Sequence, residues 1–326
     1  MTSFTNTVVD KVYVINLDKD TERLEKIDAQ LRRYGIAYER FPAILGVTVG
    51  SHPAFSSFCN TFCTDSMKGC ALSHTRIWKE MIEKDYKAVL ILEDDAILAD
   101  DFDARFRATW SQVPSDYDIL YLGCGFKCEN DSFVPAVVNK VLGHTPEQVD
   151  DKIKSVSGSV GFYGYVLKND AARKLKSAPI HTHIDLQMQF WIQEYDLAAY
   201  SVNPLLVLTK DEGTGSNLSE SFPVGLNSIL KQIPITPTMN ASWALSENSL
   251  KLGPFNINII MGVLFVIMFF VPMQWFKWFL AWVVLEGLLA RDIGNMVKYA
   301  AFLSMPIAGR FLWACRGASS CKGIAV

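Results

Sequence analysis

The sequence predicts an α/β protein that ends in a hydrophobic, transmembrane-type helix, and three observations lead there. Residues 88–92 are an apolar run that stops at three consecutive carboxylates, Glu93, Asp94 and Asp95. Residues 11–41 read as strand, helix, strand. Residues 252–276 carry no charge, and 257–271 are almost wholly apolar.

In chain order, residues 11–16 combine β-branched and aromatic side chains and read as the first strand. Asp18 or Asp20 can cap the helix that follows. Leu24, Ile27, Leu31 and Tyr34 share one face of it, and Gly35 ends it. Residues 37–41 form a second strand, so the unit is β-α-β with parallel strands. Residues 42–66 show little periodicity and read as a lid or insertion. A helix over 67–85 puts Cys70, His74, Trp78 and Met81 on one stripe and leads into the strand at 88–92. A run so uniformly apolar marks an inner strand, buried on both faces. Beyond it come a short helix over 101–110 and a strand over 117–122, which Gly123 and Gly125 break. Residues 126–156 read as an insertion. In residues 157–168 glycines alternate with aromatics, a pattern that admits close backbone approach or bulges. Asn169 caps a helix, His183 and Asp185 precede another, and 198–202 is the last strand. Residues 210–222 are polar and loop-like.

These boundaries give a catalytic domain over 1–222, a linker over 223–252 and a hydrophobic, membrane-associated tail over 253–326. The tail is long enough to span a bilayer, about 20 residues being needed. Pro272 would end the span, and Trp275, Lys277 and Trp278 supply an interfacial edge. The second apolar run, 278–290, contains Glu286 and reads as interfacial or re-entrant. Basic residues of the tail favour a cytosolic C-terminus, while the side of the membrane that the catalytic domain faces stays open. The alternative is a buried core helix.

Composition excludes some classes. The 31 Lys+Arg nearly balance 34 Asp+Glu, for a net charge of −3, so nothing points to a nucleic-acid partner. The 20 Phe, 11 Tyr and 8 Trp suffice for a sizeable core. None of the seven cysteines forms a Cys-x-x-Cys pair, so a zinc module fits poorly, and both free thiols and disulfides are open. There is no Gly-x-Gly-x-x-Gly or Gly-Lys-Ser/Thr phosphate loop.

The acidic triplet is the chemical centre. Three adjacent like charges repel unless a cation joins them. Carboxylates at the C-terminal edge of an inner strand face the crevice where open α/β sheets bind ligands. Glu93 and Asp95, alternate residues on an extended stretch, would point the same way and share a hard divalent metal, with Asp94 facing elsewhere. The competing view is a solvated acidic turn.

Several segments together resemble glycosyltransferase family 25, which contains lipopolysaccharide-type and procollagen-type galactosyltransferases. Residues 12–18 followed by Arg23 resemble its opening strand and helix. Residues 68–74 (Lys-Gly-Cys-Ala-Leu-Ser-His) are similar to its helix start, and Leu92-Glu93-Asp94-Asp95 to its acidic motif. Residues 161–167, the helix after them, Ile184-Asp185, Asn203-Pro204 and 215–217 resemble its later pattern. The coverage is about 11–218; the tail lies outside it.

The resemblance implies a GT-A-like nucleotide-sugar-binding sandwich, with the donor at the ends of parallel strands. It implies transfer of a sugar, galactose from UDP-galactose first among them, with inversion, to a glycan, lipid-linked or protein hydroxyl. A divalent metal, manganese first, is expected at Glu93 and Asp95. Asp94 would instead hold the ribose or donor sugar. Asn16, Asp18 and Arg23 would sit where uridine docks, with Arg23 on a phosphate or on Asp20. Ser73 and His74 would pack against the nucleotide or the triplet. Gly161 and Gly164 would floor the site beneath either sugar, and Ser216 and Asn217 would close over it. Asp185 is the expected base on the acceptor hydroxyl, the alternative being an ordinary helix cap; His183 is its rival. Two other readings compete: an inactive glycosyltransferase-like membrane scaffold, and a different metal-dependent phosphate enzyme.

Overall fold

The first strand, β1 (Lys11–Asn16), is the reference for the rest, because every residue from Val12 to Asn16 is buried. The computed structural model describes residues 3–128, 131–141, 143–209, 223–236 and 239–317. These divide into two compact units, one of Met1–Glu212 with Ile235–Met239, the other of Gly213–Pro234 with Asn240–Val326.

In the first unit the Thr21–Arg33 helix buries Ile27 and Leu31 on the expected stripe. It stops at Gly35, whose φ of 65° lies in the left-handed region that lets a chain leave a helix sharply. The chain returns as β2 (Glu39–Pro42), parallel to β1. The Asp65–Glu83 helix then crosses to β3 (Ala88–Glu93), which pairs with the other edge of β1, also parallel. The segment before that helix holds a 3-10 turn, Gly46–Thr48, and the Ser57–Phe62 helix, closed by a Cys59–Cys63 disulfide.

After β3 come β4 (Ala96–Leu98) and the Phe102–Trp110 helix. Then follow β5 (Ile119–Tyr121), β6 (Glu147–Asp150), β7 (Ile153–Ser155), β8 (Gly164–Lys168), β9 (Ala199–Val202) and β10 (Val207–Thr209). The large sheet runs β2-β1-β3-β8-β5-β9-β7-β6, and β4 pairs separately with β10. Residues 126–156, an insertion by sequence, contribute β6 and β7 to the sheet edge.

The expectation of donor binding at the ends of parallel strands needs correction, because the sheet is mixed. β8 is antiparallel to both of its neighbours, β3 and β5, while β5 is parallel to β9. The C-terminal ends of β1, β3 and β5 therefore meet the N-terminal end of β8. Leu92 lies opposite Gly164, and the Glu93 N–H donates to the Tyr163 carbonyl at 3.1 Å. One sheet edge thus gathers the acidic triplet and the glycine-aromatic segment.

The predicted C-terminal transmembrane helix is also overturned. The apolar run at 257–271 does not form one helix. Its first residues belong to the Phe255–Asn258 strand, paired antiparallel with Asn248–Leu252. Asn258 then caps a helix over only Ile259–Met268, accepting from Met261 N at 2.8 Å. Ten residues at 1.5 Å each give about 15 Å, half of a hydrocarbon core. The Met273–Ala290 helix contains Lys277 and Glu286, and Glu286 is buried and accepts from the Gly225 and Leu226 N–H groups at 2.6 and 3.1 Å. The Ile293–Gly317 helix contains Lys298, Arg310, Arg316 and an internal proline. No described helix is long and apolar enough to cross a membrane, so the expected membrane anchor through the C-terminus has no support. These helices instead enclose a core of the second unit around Met261, Met268, Val283, Tyr299 and Phe302.

In the first unit Leu90 is fully buried within the cluster that joins Val12, Val14, Ile27 and Leu120. Leu90→Ala would leave a cavity there and is expected to cost about 2–5 kcal/mol, read as a lowered urea midpoint. A loss below 0.5 kcal/mol would show that the core does not centre on β3.

Candidate functional site

The triplet leaves β3 at a turn. Glu93 is the last strand residue, and Asp94 and Asp95 form the two-residue turn into β4. Strand alternation therefore does not carry through to Asp95, and each carboxylate is placed by its own partners.

Asp94 is buried and points back at β1. Asn16 Nδ2 donates to its Oδ2 at 2.7 Å, and Arg23 Nη1 meets its Oδ1 at 2.9 Å. Arg40 donates to the Asn16 side chain at 2.9 Å and pairs with the exposed carboxylate of Asp18. Burial raises the Asp94 carboxyl above the ordinary range, and the Asn16 hydrogen bond and the Arg23 charge only partly offset it. For Arg23 burial opposes the charged form, but Asp95 and Asp94 hold the guanidinium above its usual value. Asn16, Asp18, Arg23 and Asp94, expected at a nucleotide, thus form one network through Arg40.

Glu93 faces the Asp65–Glu83 helix. Its Oε1 lies 3.2 Å from His74 Nε2. His74 is fully buried, and its Nδ1 is 2.9 Å from Tyr165 Oη, which also accepts from Trp78 Nε1 at 3.0 Å. Phe162 stacks on Tyr165 at 4.0 Å and meets His74 edge-on at 5.0 Å. Of the two contacts open to His74 from sequence, the structure places the imidazole against the triplet. Ser73 does something else: its hydroxyl donates to Gly69 O at 2.7 Å and accepts from Ile44 N at 2.9 Å, which ties the loop before the helix to its second turn.

Asp95 is the anomaly. Its Oδ1 is buried and has no hydrogen-bond partner among the described residues. Burial, then the charges of Glu93 and Asp94, push its carboxyl up to about 7 against the pull of Arg23. A buried carboxylate oxygen without a donor is costly, and a cation beside Asp95 and Glu93 would remove that cost. The donor set at this pair fits a hard divalent ion.

The glycine-aromatic segment lies beside the triplet, with Gly164 opposite Leu92 and Tyr163 O accepting from Glu93 N. Gly161 has φ 93°, and its N–H donates to Asp185 Oδ2 at 2.8 Å. Asp185 lies in the first turn of the Ile184–Glu194 helix, and its Oδ1 accepts from Leu186 N at 2.7 Å. His183 stands just before that helix and accepts from Gln187 N through its backbone at 2.7 Å. Gly164 serves packing, since a Cβ there would meet Val207 at 2.9 Å. Ser216 and Asn217 lie outside the described residues.

Sequence reading passed over Tyr163. Its ring occupies space that side chains at Gly123 and Gly161 would fill, with built Cβ positions 2.2 and 2.6 Å from it. Burial raises its phenol, and the charges of Asp95 and Glu93 raise it further, which places it beside the triplet. The stretch 123–128, without a role by sequence, supports this wall. A Cys124–Cys128 disulfide closes it, and Gly125 N donates to Ser159 Oγ at 3.2 Å. The signal was the recurrence of glycine at 123, 158, 161 and 164 around large aromatics.

The chain is similar to known proteins over much of its length. A family model described as glycosyltransferase family 25 (LPS biosynthesis protein) matches residues 9–188. A glycosyltransferase 25 family member of Drosophila melanogaster is 28% identical over 231 residues, covering 61% of this chain and 35% of that protein. One of Drosophila pseudoobscura pseudoobscura is 28% identical over 304 residues, 79% of this chain and 45% of that one. Procollagen galactosyltransferase 1 of Danio rerio is 25% identical and covers 65% of this chain and 39% of that protein. The chain spans less than half the length of these curated relatives. Among solved structures, A197 from STIV aligns at a TM-score of 0.35 and 15% identity, covering 61% of this chain and 85% of that one, a likeness too slight to carry an argument.

The raised Asp95 carboxyl has a consequence for stability. Its folded value, about 7, exceeds the ordinary 3.8, so between those values the folded state holds the proton more tightly than the unfolded one. Stability from this group is complete below pH of about 4 and is lost as pH rises to about 7. Metal-free wild type is therefore expected to lose stability relative to Asp95→Asn across that window, measured by urea unfolding at stepped pH. Parallel profiles for the two proteins would disprove the burial assigned to Asp95.

Proposed function

This chain belongs to glycosyltransferase family 25, and from that premise we propose that it is a hexosyltransferase moving galactose from UDP-galactose, with inversion, to a hydroxyl of a glycan, lipid-linked sugar or protein. The observation that carries the reading is Asp95, a buried and unpartnered carboxylate oxygen beside Glu93 at the sheet edge where the family motifs converge.

Glu93 and Asp95 would hold a divalent ion, manganese in the first instance. When bound, that ion supplies the positive charge that makes a nucleoside diphosphate an adequate leaving group. The chain's own residues do the rest. Arg23 and Arg40 stand within one network at the end of β1, bound to Asp94, Asn16 and Asp18, and would meet a diphosphate there. Asp94 fixes Arg23 in place through its 2.9 Å contact, and Asn16 fixes Asp94. Tyr163, buried within reach of the Asp95 and Glu93 charges, would limit water beside the triplet.

On the acceptor side Asp185 is the base. Each of its oxygens already accepts one backbone N–H, and each keeps a second lone pair for an incoming hydroxyl proton. The Gly161 hydrogen bond fixes the direction of Oδ2, so proton transfer needs no side-chain search. Inversion would require this carboxylate to meet the acceptor hydroxyl on the face away from the leaving group.

The direct test incubates the whole chain with UDP-, GDP- and CMP-sugars, with manganese or with EDTA, and follows released nucleotide. Manganese-dependent release from UDP-galactose is expected, with Asp95→Ala at least about 100-fold slower. No release from any donor by a folded sample would sink the proposal. For the base, Asp185→Asn is expected to lower kcat by about 10²–10⁴ while donor affinity holds. A mutant that loses donor affinity instead would make Asp185 a structural cap.

A further inference from the structure

The geometry points to a second cation site, suited to a thiophilic divalent ion of the zinc class, formed by Cys70, His74 and Glu93. Cys70 and His74 are four residues apart on the Asp65–Glu83 helix, so both side chains project from one face. Glu93 ends the strand packed beneath that face. One donor atom from each residue, a sulfur, an imidazole nitrogen and a carboxylate oxygen, lies within 4.8 Å of the other two. Among the described residues this is the one cluster of three such donors.

Three features separate it from a chance cluster. First, the 3.2 Å between His74 Nε2 and Glu93 Oε1 is close to the edge of a tetrahedron with zinc-ligand arms, about 3.3 Å. Second, the other ring nitrogen of His74 is held by Tyr165 Oη at 2.9 Å, and Tyr165 is held in turn by Trp78. Metal-binding histidines nearly always have such an outer partner, which fixes the tautomer. Third, Cys70 takes no part in either disulfide, and both Cys70 and Glu93 are only half-buried, which leaves an entry and a fourth position for water.

The donor set differs in kind from the Glu93–Asp95 pair. Carboxylates alone suit magnesium or manganese, whereas one thiolate and one imidazole favour zinc. The protons balance as follows. The Cys70 thiol releases its proton to solvent. In the ion-free protein the His74 ring proton on Nε2 bridges to Glu93; on ion binding it leaves Nε2, and the ring's one proton sits on Nδ1, donated to Tyr165 Oη, whose other lone pair takes the Trp78 indole N–H. The ion replaces the His74–Glu93 hydrogen bond. Because Glu93 serves both sites, a soft ion bound here withdraws it from Asp95. Zinc is therefore a competitive inhibitor of the manganese-dependent reaction. That effect rests on the proposed transferase activity; the binding itself does not.

The test is a cobalt titration of the whole chain followed by absorbance. One cobalt per chain is expected, with a thiolate-to-cobalt charge-transfer band that zinc abolishes and manganese does not. Cys70→Ser and Cys70→Ala should each lose the band and bind zinc at least about 100-fold more weakly, since loss of an outer partner alone costs up to that much. Asp95→Asn should keep the band. In activity, Cys70→Ser should retain manganese-dependent nucleotide release and lose its sensitivity to zinc. Absence of the band in folded wild type, or a band unchanged in both Cys70 variants, overturns the proposal. An active enzyme without the band refutes this site alone, and a band without donor cleavage refutes the transferase reading alone.

Discussion

The buried carboxylate of Asp94 is the constraint on which the site depends. It sits at the first residue after β3, where the chain must turn, and it cannot be left there without donors. Asn16 at the end of β1 and Arg23 in the following helix supply them. Three elements distant in sequence are thereby pinned to one point. With Asp94 directed at β1, Glu93 is free to face the helix that carries His74. Asp95 is left in the turn with a buried oxygen that no described residue satisfies.

A charge arrangement of this kind costs stability, and the surrounding structure is organised to sustain it. β3, buried from Ala88 to Leu92, is paired on both edges. The Tyr165 hydroxyl anchors both Trp78 and His74, so the wall behind Glu93 is a rigid aromatic stack (Phe162 included). The Tyr163 ring packs close to Gly123 and Gly161, near enough to the triplet for the Asp95 and Glu93 charges to act on it. Two short disulfides each close a five-residue segment, Cys59–Cys63 at the end of the Ser57–Phe62 helix and Cys124–Cys128 beside Gly125.

The site is asymmetric in a chemically useful way. Cationic groups collect at the end of β1, anionic groups at the end of β3, and the Asp185 carboxylate is tied to the glycine-aromatic segment through the Gly161 N–H. In the proposed reaction these separate groups would handle the diphosphate and the acceptor proton. Glu93 is the residue that two environments share, with oxygen donors on one side and a thiol and imidazole on the other.

The sequence by itself determined the local elements and the motifs. The β1-helix-β2 unit, the helix stripe of Ile27 and Leu31, the glycine end at Gly35 and the inner strand at 88–92 all follow from periodicity and side-chain type, which act over a few residues. The acidic triplet was legible for the same reason. Only the tertiary structure decided which way each carboxylate faces, because a turn abolishes the alternation of a strand and leaves the choice to Asn16, Arg23 and His74. It alone revealed that β8 runs antiparallel, which brings Tyr163 and Gly161 to the triplet, and that Gly123 makes room for that ring. It also decided the fate of the apolar tail. Hydropathy counts residues along the chain, whereas Asn258 and the strand before it divide that run, and buried Glu286 finds donors that lie about 60 residues away in sequence. Such partners are fixed by long-range packing, which no window of local sequence contains.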